Sequence, residues 1–311
     1  MQAGATHHGG HGMDIQVSDG AASFDMIVMV DWSAAASRGP ARPIPDRCWV
    51  AWTHVDDTLP PQARYFRTRP EAEAAIADLL AAVRGNVLVG FDFPFGYPAG
   101  SGLGGGRSLA ARLAALIDDG PDGANNRFAV AARLNDELNG GQPGPFWGCP
   151  AHAECTTLTV KRSGRRGGPF TDSRRADARL LRRGIQSCWK LYTRGSVGGQ
   201  MLVGLPAIHR LLTRPGVGAR CRVWPFETGW DASLDGIVLA EVWPSLFNFR
   251  AVDHPIKDAR QVIAACVWAR RAQVGGSLRA AFARPGDLDP ADAASCVEEE
   301  GWIVGLGSGL A

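Results

Sequence analysis

Apolar residues gather along this chain in a few short, unbroken runs that end at a carboxylate or a tight turn. Met26-Ile27-Val28-Met29-Val30 is the first, closed by Asp31-Trp32-Ser33, and Val87-Leu88-Val89-Gly90-Phe91 is the second, closed by Asp92-Phe93-Pro94. Ile237 to Val242 is the third, with Glu241 near its end and Trp243-Pro244 after it. Runs of this length with no polar alternation are the pattern of strands covered on both faces. Cys48 to Val55 instead alternates aromatic and β-branched residues, and Ala63 to Thr68 can pair beside it, so an antiparallel hairpin or meander is expected after the first strand.

Helical spacing appears in two further places. From Pro70 to Arg84, Ala72, Ala75, Ile76, Leu79, Leu80 and Val83 share one face, with a proline at the start and Gly85 at the end. From Lys257 to Arg271 the stripe is Ala259, Val262, Ile263, Cys266 and Val267. Residues 97–235 carry Gly-rich loops, helical pieces near 107–118 and 126–139, and a basic helical stretch near 172–192. The order predicts an α/β domain over 25–311. Its mixed sheet has antiparallel first three strands, then parallel strands, flanked by helices, with a long helical insertion at about 97–235. Residues 1–24 are rich in Gly, Ala, Ser and His, with His7, His8 and His11 clustered. They are expected to be a disordered leader outside the fold, a metal-binding His cluster being the alternative.

Bulk properties narrow the class. Hydrophobic residues make up 45% of 311, enough for a sizeable core, and the formal net charge of +2 argues against a generally basic nucleic-acid binder. No apolar run reaches the roughly 18 residues of a membrane span. Seven cysteines, an odd number at irregular spacings, read as reduced thiols of a soluble cytoplasmic protein.

Candidate chemistry rests on carboxylates at strand ends. Asp31, Asp92 and Glu241 each sit where a buried strand gives way to a turn, the place where open α/β sheets line a ligand crevice. Asp258 opens the last helix, where the dipole favours a carboxylate. Converging carboxylates repel unless a cation bridges them, and oxygen donors suit Mg²⁺ or Mn²⁺. Such an ion would polarise a phosphoryl oxygen and activate water. The plainer readings are a helix-start role for Asp258 and an Arg partner for Glu241.

The segments VMVDWS, VLVGFDFPFGYP, GSVGGQMLVGLP at 195–206, VWPFETG at 223–229, AEVWPSLF at 240–247, KDARQV at 257–262 and EGWIVG at 300–305 together resemble one bacterial family, domain of unknown function 429, described as predicted nucleases of ribonuclease H fold. The resemblance runs in order from 26 to 305. It implies a ribonuclease H-like sheet and matches Asp31 and Asp92 to the family's first- and fourth-strand Asp. It likewise matches Glu241 to the Glu of its E-x-x-P-S segment and Asp258 to the Asp of its last-helix K-D segment. Some relatives carry molybdopterin-guanine-dinucleotide synthesis labels.

Weaker features surround this core. Residues 161–183 hold nine Arg or Lys, a candidate phosphate-contact surface or a solvated loop. Ser196, Gly198, Gly199 and Gln200 lie in a turn able to offer amides to an anion, or simply to start a helix or strand. Gly100 to Gly106 lacks a Walker ending and reads as a flexible lid. Cys149, His152 and Cys155 have metal-like spacing without a second ligand pair. His254 and Lys257 are a candidate proton shuttle and phosphate partner, or a surface turn. Trp32 and Trp243 are placed to wall a pocket for a stacked ring, although most of the Trp residues are expected in the core.

The leading expectation is a metal-dependent phosphodiester hydrolase. Asp31, Asp92, Glu241 and Asp258 hold the ion, while Lys257, Arg174, Arg175, Trp32, Ser196 and Gln200 contact a nucleic acid or phosphorylated small molecule. A nucleotide-dependent phosphotransferase and a non-catalytic nucleotide- or cofactor-binding protein are the competing expectations.

Overall fold

The structure, a computed structural model, describes residues 23–163, 170–193, 195–230 and 234–309. Six strands form one sheet: β1 (Met26–Asp31), β2 (Cys48–His54), β3 (Gln62–Phe66), β4 (Val87–Phe91), β5 (Cys221–Val223) and β6 (Ile237–Glu241). Their order is β3-β2-β1-β4-β6-β5. The β1–β2 and β2–β3 pairs are antiparallel, whereas β1–β4, β4–β6 and β6–β5 are parallel. Helices α1 (Arg69–Ala82), α2 (Gly106–Ala114), α3 (Arg127–Asn139), α4 (Arg175–Ala178), α5 (Val197–Thr213), α6 (Lys257–Val274) and α7 (Pro290–Ser295) accompany the sheet.

The unbroken apolar runs are explained by two cores, one on each face. Val28, Val30, Val89, Phe91 and Leu239 point to the side where α1, α2 and α5 pack. Ile27, Met29, Leu88, Val238 and Ala240 point to the other side, against Ala259, Val262, Ala265, Cys266 and Ala269 of α6. Alternate residues face opposite ways, so a strand covered on both faces must be apolar throughout. Burying each large aliphatic side chain contributes about 1.5–3 kcal/mol, which makes these central strands the framework that carries the loops. The alanines of α6 let it lie close to β1 and β2.

Three expectations change. The segment near 172–192 forms only the four-residue α4 and a 3₁₀ turn at Leu181–Arg183, stopped by Gly184 in the left-handed region (φ 82°). Arg174, Arg175 and Arg179 make long-range ion pairs instead of presenting a helical face. The stretch predicted as helical insertion also supplies β5, which is three residues long and pairs with β6 at the sheet edge. The fold reaches back to Phe24, whose buried ring lies 5.9 Å from Phe282, so this residue of the expected leader belongs to the core. His7, His8 and His11 lie outside the described residues, as does 164–169 of the basic segment. No helix among the described residues is long and apolar enough to cross a membrane.

Candidate acidic site

Parallel pairing brings the ends of β1 and β4 side by side, with Val30 opposite Phe91. Asp31 closes β1 and Asp92 follows β4, so the two carboxylates meet at the C-terminal ends of the two central strands, half-buried, and form an acidic edge there. Helix α6 begins below them with Lys257 and Asp258. The Asp258 Oδ2 accepts a hydrogen bond from the Asp46 amide at 2.7 Å, which ties the loop between β1 and β2 to the start of α6.

Asp92 is held on both oxygens. The Trp32 amide donates to Oδ1 at 2.7 Å and the Gln200 side-chain amide to Oδ2 at 3.1 Å. Gln200 also donates to the Trp32 carbonyl and so clamps the two strand ends together. It sits in the first turn of α5, whose approach depends on Gly204: a Cβ there would lie 2.5 Å from Phe93 Cζ. Gly198 and Gly199 similarly accommodate the 188–191 backbone, with Cys188 and Leu191 carbonyls at 2.2 and 2.7 Å from a would-be Cβ. These two glycines therefore serve the seating of the helix.

The electrostatics are unfavourable to charge. Burial first, then the carboxylates of Asp92, Asp258 and Asp46, push the Asp31 carboxyl well above the ordinary range, with Lys257 opposing. Burial raises Asp92 to about 7, against the stabilising Trp32 and Gln200 hydrogen bonds. Asp258 is raised too, by burial and then Asp46, with the bond from the Asp46 amide and the charge of Lys257 acting the other way. Asp31 and Asp92 enter no ion pair among the described residues.

Other expected members lie elsewhere. Glu241 pairs with Phe91 in register and therefore faces the opposite side of the sheet from Asp31, which aligns with Trp49. It is buried and forms a two-pronged ion pair with Arg174, both contacts at 2.7 Å, and Arg174 also binds Asp177 at 2.8 Å. This corrects the expectation for both residues: Glu241 does not join the acidic edge, and Arg174, with no exposed surface, does not reach a phosphate. Arg175 is bound to Glu300 and Asp292 and fastens α4 to the α7 region. The Trp32 ring is 1% exposed, packed on Phe91 and Phe93 at 6.2 and 6.4 Å, so it is core rather than a stacking wall. Ser196 is a half-buried helix-cap residue whose hydroxyl does not cap. His254 receives the Ile256 amide on Nδ1 at 3.1 Å, shaping the turn before α6, and Trp243 is half-buried at the α6-side core.

The remaining motifs are structural. Gly105 and Gly106 are packed against Phe226, so the Gly-rich stretch is seated rather than open at that end. Cys149 is buried while His152 and Cys155 are exposed, and all seven cysteines are free. Among the described residues no three His, Cys, Asp or Glu stand close enough to hold a metal together. An apolar groove of about 1090 Å³ between β3 and α6, lined in part by Leu246, Ile263 and Trp268, lies apart from the acidic edge.

Two contributors were not anticipated. Asp46 is one. The other is Arg69, 2% exposed, which donates to the Ser33, Ala35 and Gly123 carbonyls and is paired to Asp119, pinning the loop that follows Trp32. An arginine in the first turn of a helix opposes the dipole, and that mismatch in the sequence was the available sign of a buried partner.

Against this geometry, comparison with known proteins adds nothing further: no protein-family model, no curated protein and no solved structure matches the chain.

Proposed function

We propose that this chain is a ribonuclease H-like, metal-dependent hydrolase of phosphodiester bonds. The carrying observation is the pair of half-buried carboxylates, Asp31 and Asp92, on neighbouring parallel strand ends without an ion-pair partner among the described residues. Elsewhere the buried acids Asp119, Asp177, Glu241 and Glu300 are each neutralised by an arginine. Leaving two unneutralised together is costly unless a cation joins them. Strands that run antiparallel and then parallel, and the resemblance of the ordered motifs to domain of unknown function 429, support the ribonuclease H-like reading.

The donor chemistry fits Mg²⁺ or Mn²⁺, because Mg²⁺ is commonly held by one or two carboxylates with water filling the remaining positions. Asp31 and Asp92 are the ligands in this reading, with Asp258 near them; Glu241 is not. A bound ion supplies Lewis-acid polarisation of a phosphoryl oxygen and a water of lowered pKa. Gln200 keeps the Asp92 carboxylate oriented, and Lys257, exposed at the start of α6, offers a charge to the phosphate. The partner is a nucleic acid or a phosphorylated small molecule, and free cysteines accord with a cytoplasmic setting.

Calorimetric titration of Mg²⁺ and Mn²⁺ into the wild type and Asp31→Asn tests the reading, followed by labelled single- and double-stranded nucleic acids with Mn²⁺. Binding that is lost in Asp31→Asn supports it. Equal behaviour of the two proteins, with no metal bound, overturns it.

A further inference from the structure

Helix α3 starts with an arginine that has no carboxylate counterpart among the described residues. Arg127 is its first residue and is 6% exposed. Its Nη1 donates to Asn125 Oδ1 at 2.8 Å, so the guanidinium folds back past the start of the helix, 4.3 Å from the Phe128 ring centroid. The buried Nε has no partner, and no carboxylate pairs with Arg127 among the described residues. The cap residue does not help: Asn126 donates to Leu116 and Asp118 and accepts from the Asp118 amide, and the Arg127 amide reaches only Asn125 Oδ1, at 3.5 Å, the oxygen the guanidinium already uses.

Three unfavourable effects coincide here. The cation is desolvated, it lies at the positive end of a helix dipole, and it feels the neighbouring guanidinium of Arg69. Burial, followed by Arg69, lowers its pKa to about 10, so it remains charged at neutral pH. Arg69 meets the same helix-start problem with Asp119, whereas Arg127 has no such acid among the described residues. A single oxyanion would relieve all three effects, because it accepts from a guanidinium edge and from helix-start amides alike.

We propose that the start of α3, with Arg127, is a binding site for a phosphate-class oxyanion. It is linked to the loop that follows Trp32 through a run of hydrogen bonds: Arg127 to Asn125, Asn125 to the Gly123 carbonyl, Arg69 to that same carbonyl and on to Ser33 and Ala35. The exposed ring of Tyr192 stands edge-on to Phe128 at 6.0 Å and borders the site.

The test is titration of inorganic phosphate by calorimetry and thermal unfolding, in EDTA, with chloride at matched ionic strength as the reference. Wild type, Arg127→Gln, Arg127→Lys and Asp31→Asn are compared. One phosphate should bind per chain, with affinity about tenfold or more weaker in Arg127→Gln, intermediate in Arg127→Lys, and unchanged in Asp31→Asn. Without phosphate, Arg127→Gln should melt above the wild type, and added phosphate should close that gap. No phosphate effect beyond chloride on the wild type overturns the proposal, as does wild-type affinity in Arg127→Gln. Loss of binding in Asp31→Asn also overturns it, since the ion would then sit at the acidic edge. Since EDTA removes divalent ions, failure here leaves the metal reading intact, and the reverse holds too.

Discussion

The side-chain amide of Gln200 stands 3.1 Å from Asp92 Oδ2 while also donating to the carbonyl of Trp32. A residue of α5 thus fixes the orientation of a carboxylate at the end of β4 and joins it to the residue after β1. Because this bond favours the charged form of Asp92, Gln200→Leu should raise that carboxyl further. In a metal-dependent hydrolysis assay, the acidic limb of the pH–rate profile should move up by about one pH unit. An unmoved limb would show that Asp92 does not govern it.

Replacing Asp31 by Asn should stabilise the metal-free protein. Its carboxyl is raised by burial and then by three neighbouring acids, so removing the charge relieves both the desolvation and the repulsion. Urea unfolding at pH 8 in EDTA measures this, and the same variant should lose Mn²⁺-dependent activity. A destabilised variant would contradict the electrostatic picture.

The pH dependence has a definite sign. Asp31, Asp92 and Asp258 bind protons more tightly in the folded state than in the unfolded chain. Their contribution is therefore full below about pH 4, the unfolded carboxylate value. It is lost as pH rises through the folded values, about 7 for Asp92. The difference in melting temperature between Asp31→Asn and wild type in EDTA should widen from pH 4 to 8. Saturating Mn²⁺ should narrow it again.

Legibility in the sequence followed the range of the interactions. Asp31 and Asp92 were readable because a carboxylate at the end of an unbroken apolar run is a local signal. Glu241 presents the same local signal, but its orientation depends on the β4–β6 register, and its partner Arg174 is 67 positions away. Asp46 meets Asp258 across 212 positions, beyond any local pattern. The antiparallel start of the sheet was legible from alternation and turns, and the parallel strands after it from what the family resemblance implies; the three residues of β5 were too few to show a period.

Arg174→Met should cost about 3–5 kcal/mol, because it strands the buried Glu241 and Asp177 charges. Chemical denaturation reads the loss directly. A double variant that also replaces Glu241 by Leu should recover part of it, since one stranded charge is then gone.

Arg69→Met should loosen the loop after Trp32. The Ser33 and Ala35 carbonyls lose their buried donor, and amides of residues 33–37 should exchange faster by hydrogen–deuterium exchange, alongside a stability loss of about 3–5 kcal/mol. Unchanged exchange there would mean the loop is held by other contacts.

The register that sets Phe91 opposite Glu241 also separates two kinds of carboxylate by the thickness of a sheet. One face keeps an arginine-locked framework, while the end beyond Asp31 keeps acids that burial and one another push towards the neutral form. Replacing the acids of that edge should therefore leave the arginine-locked framework, and with it the architecture, in place.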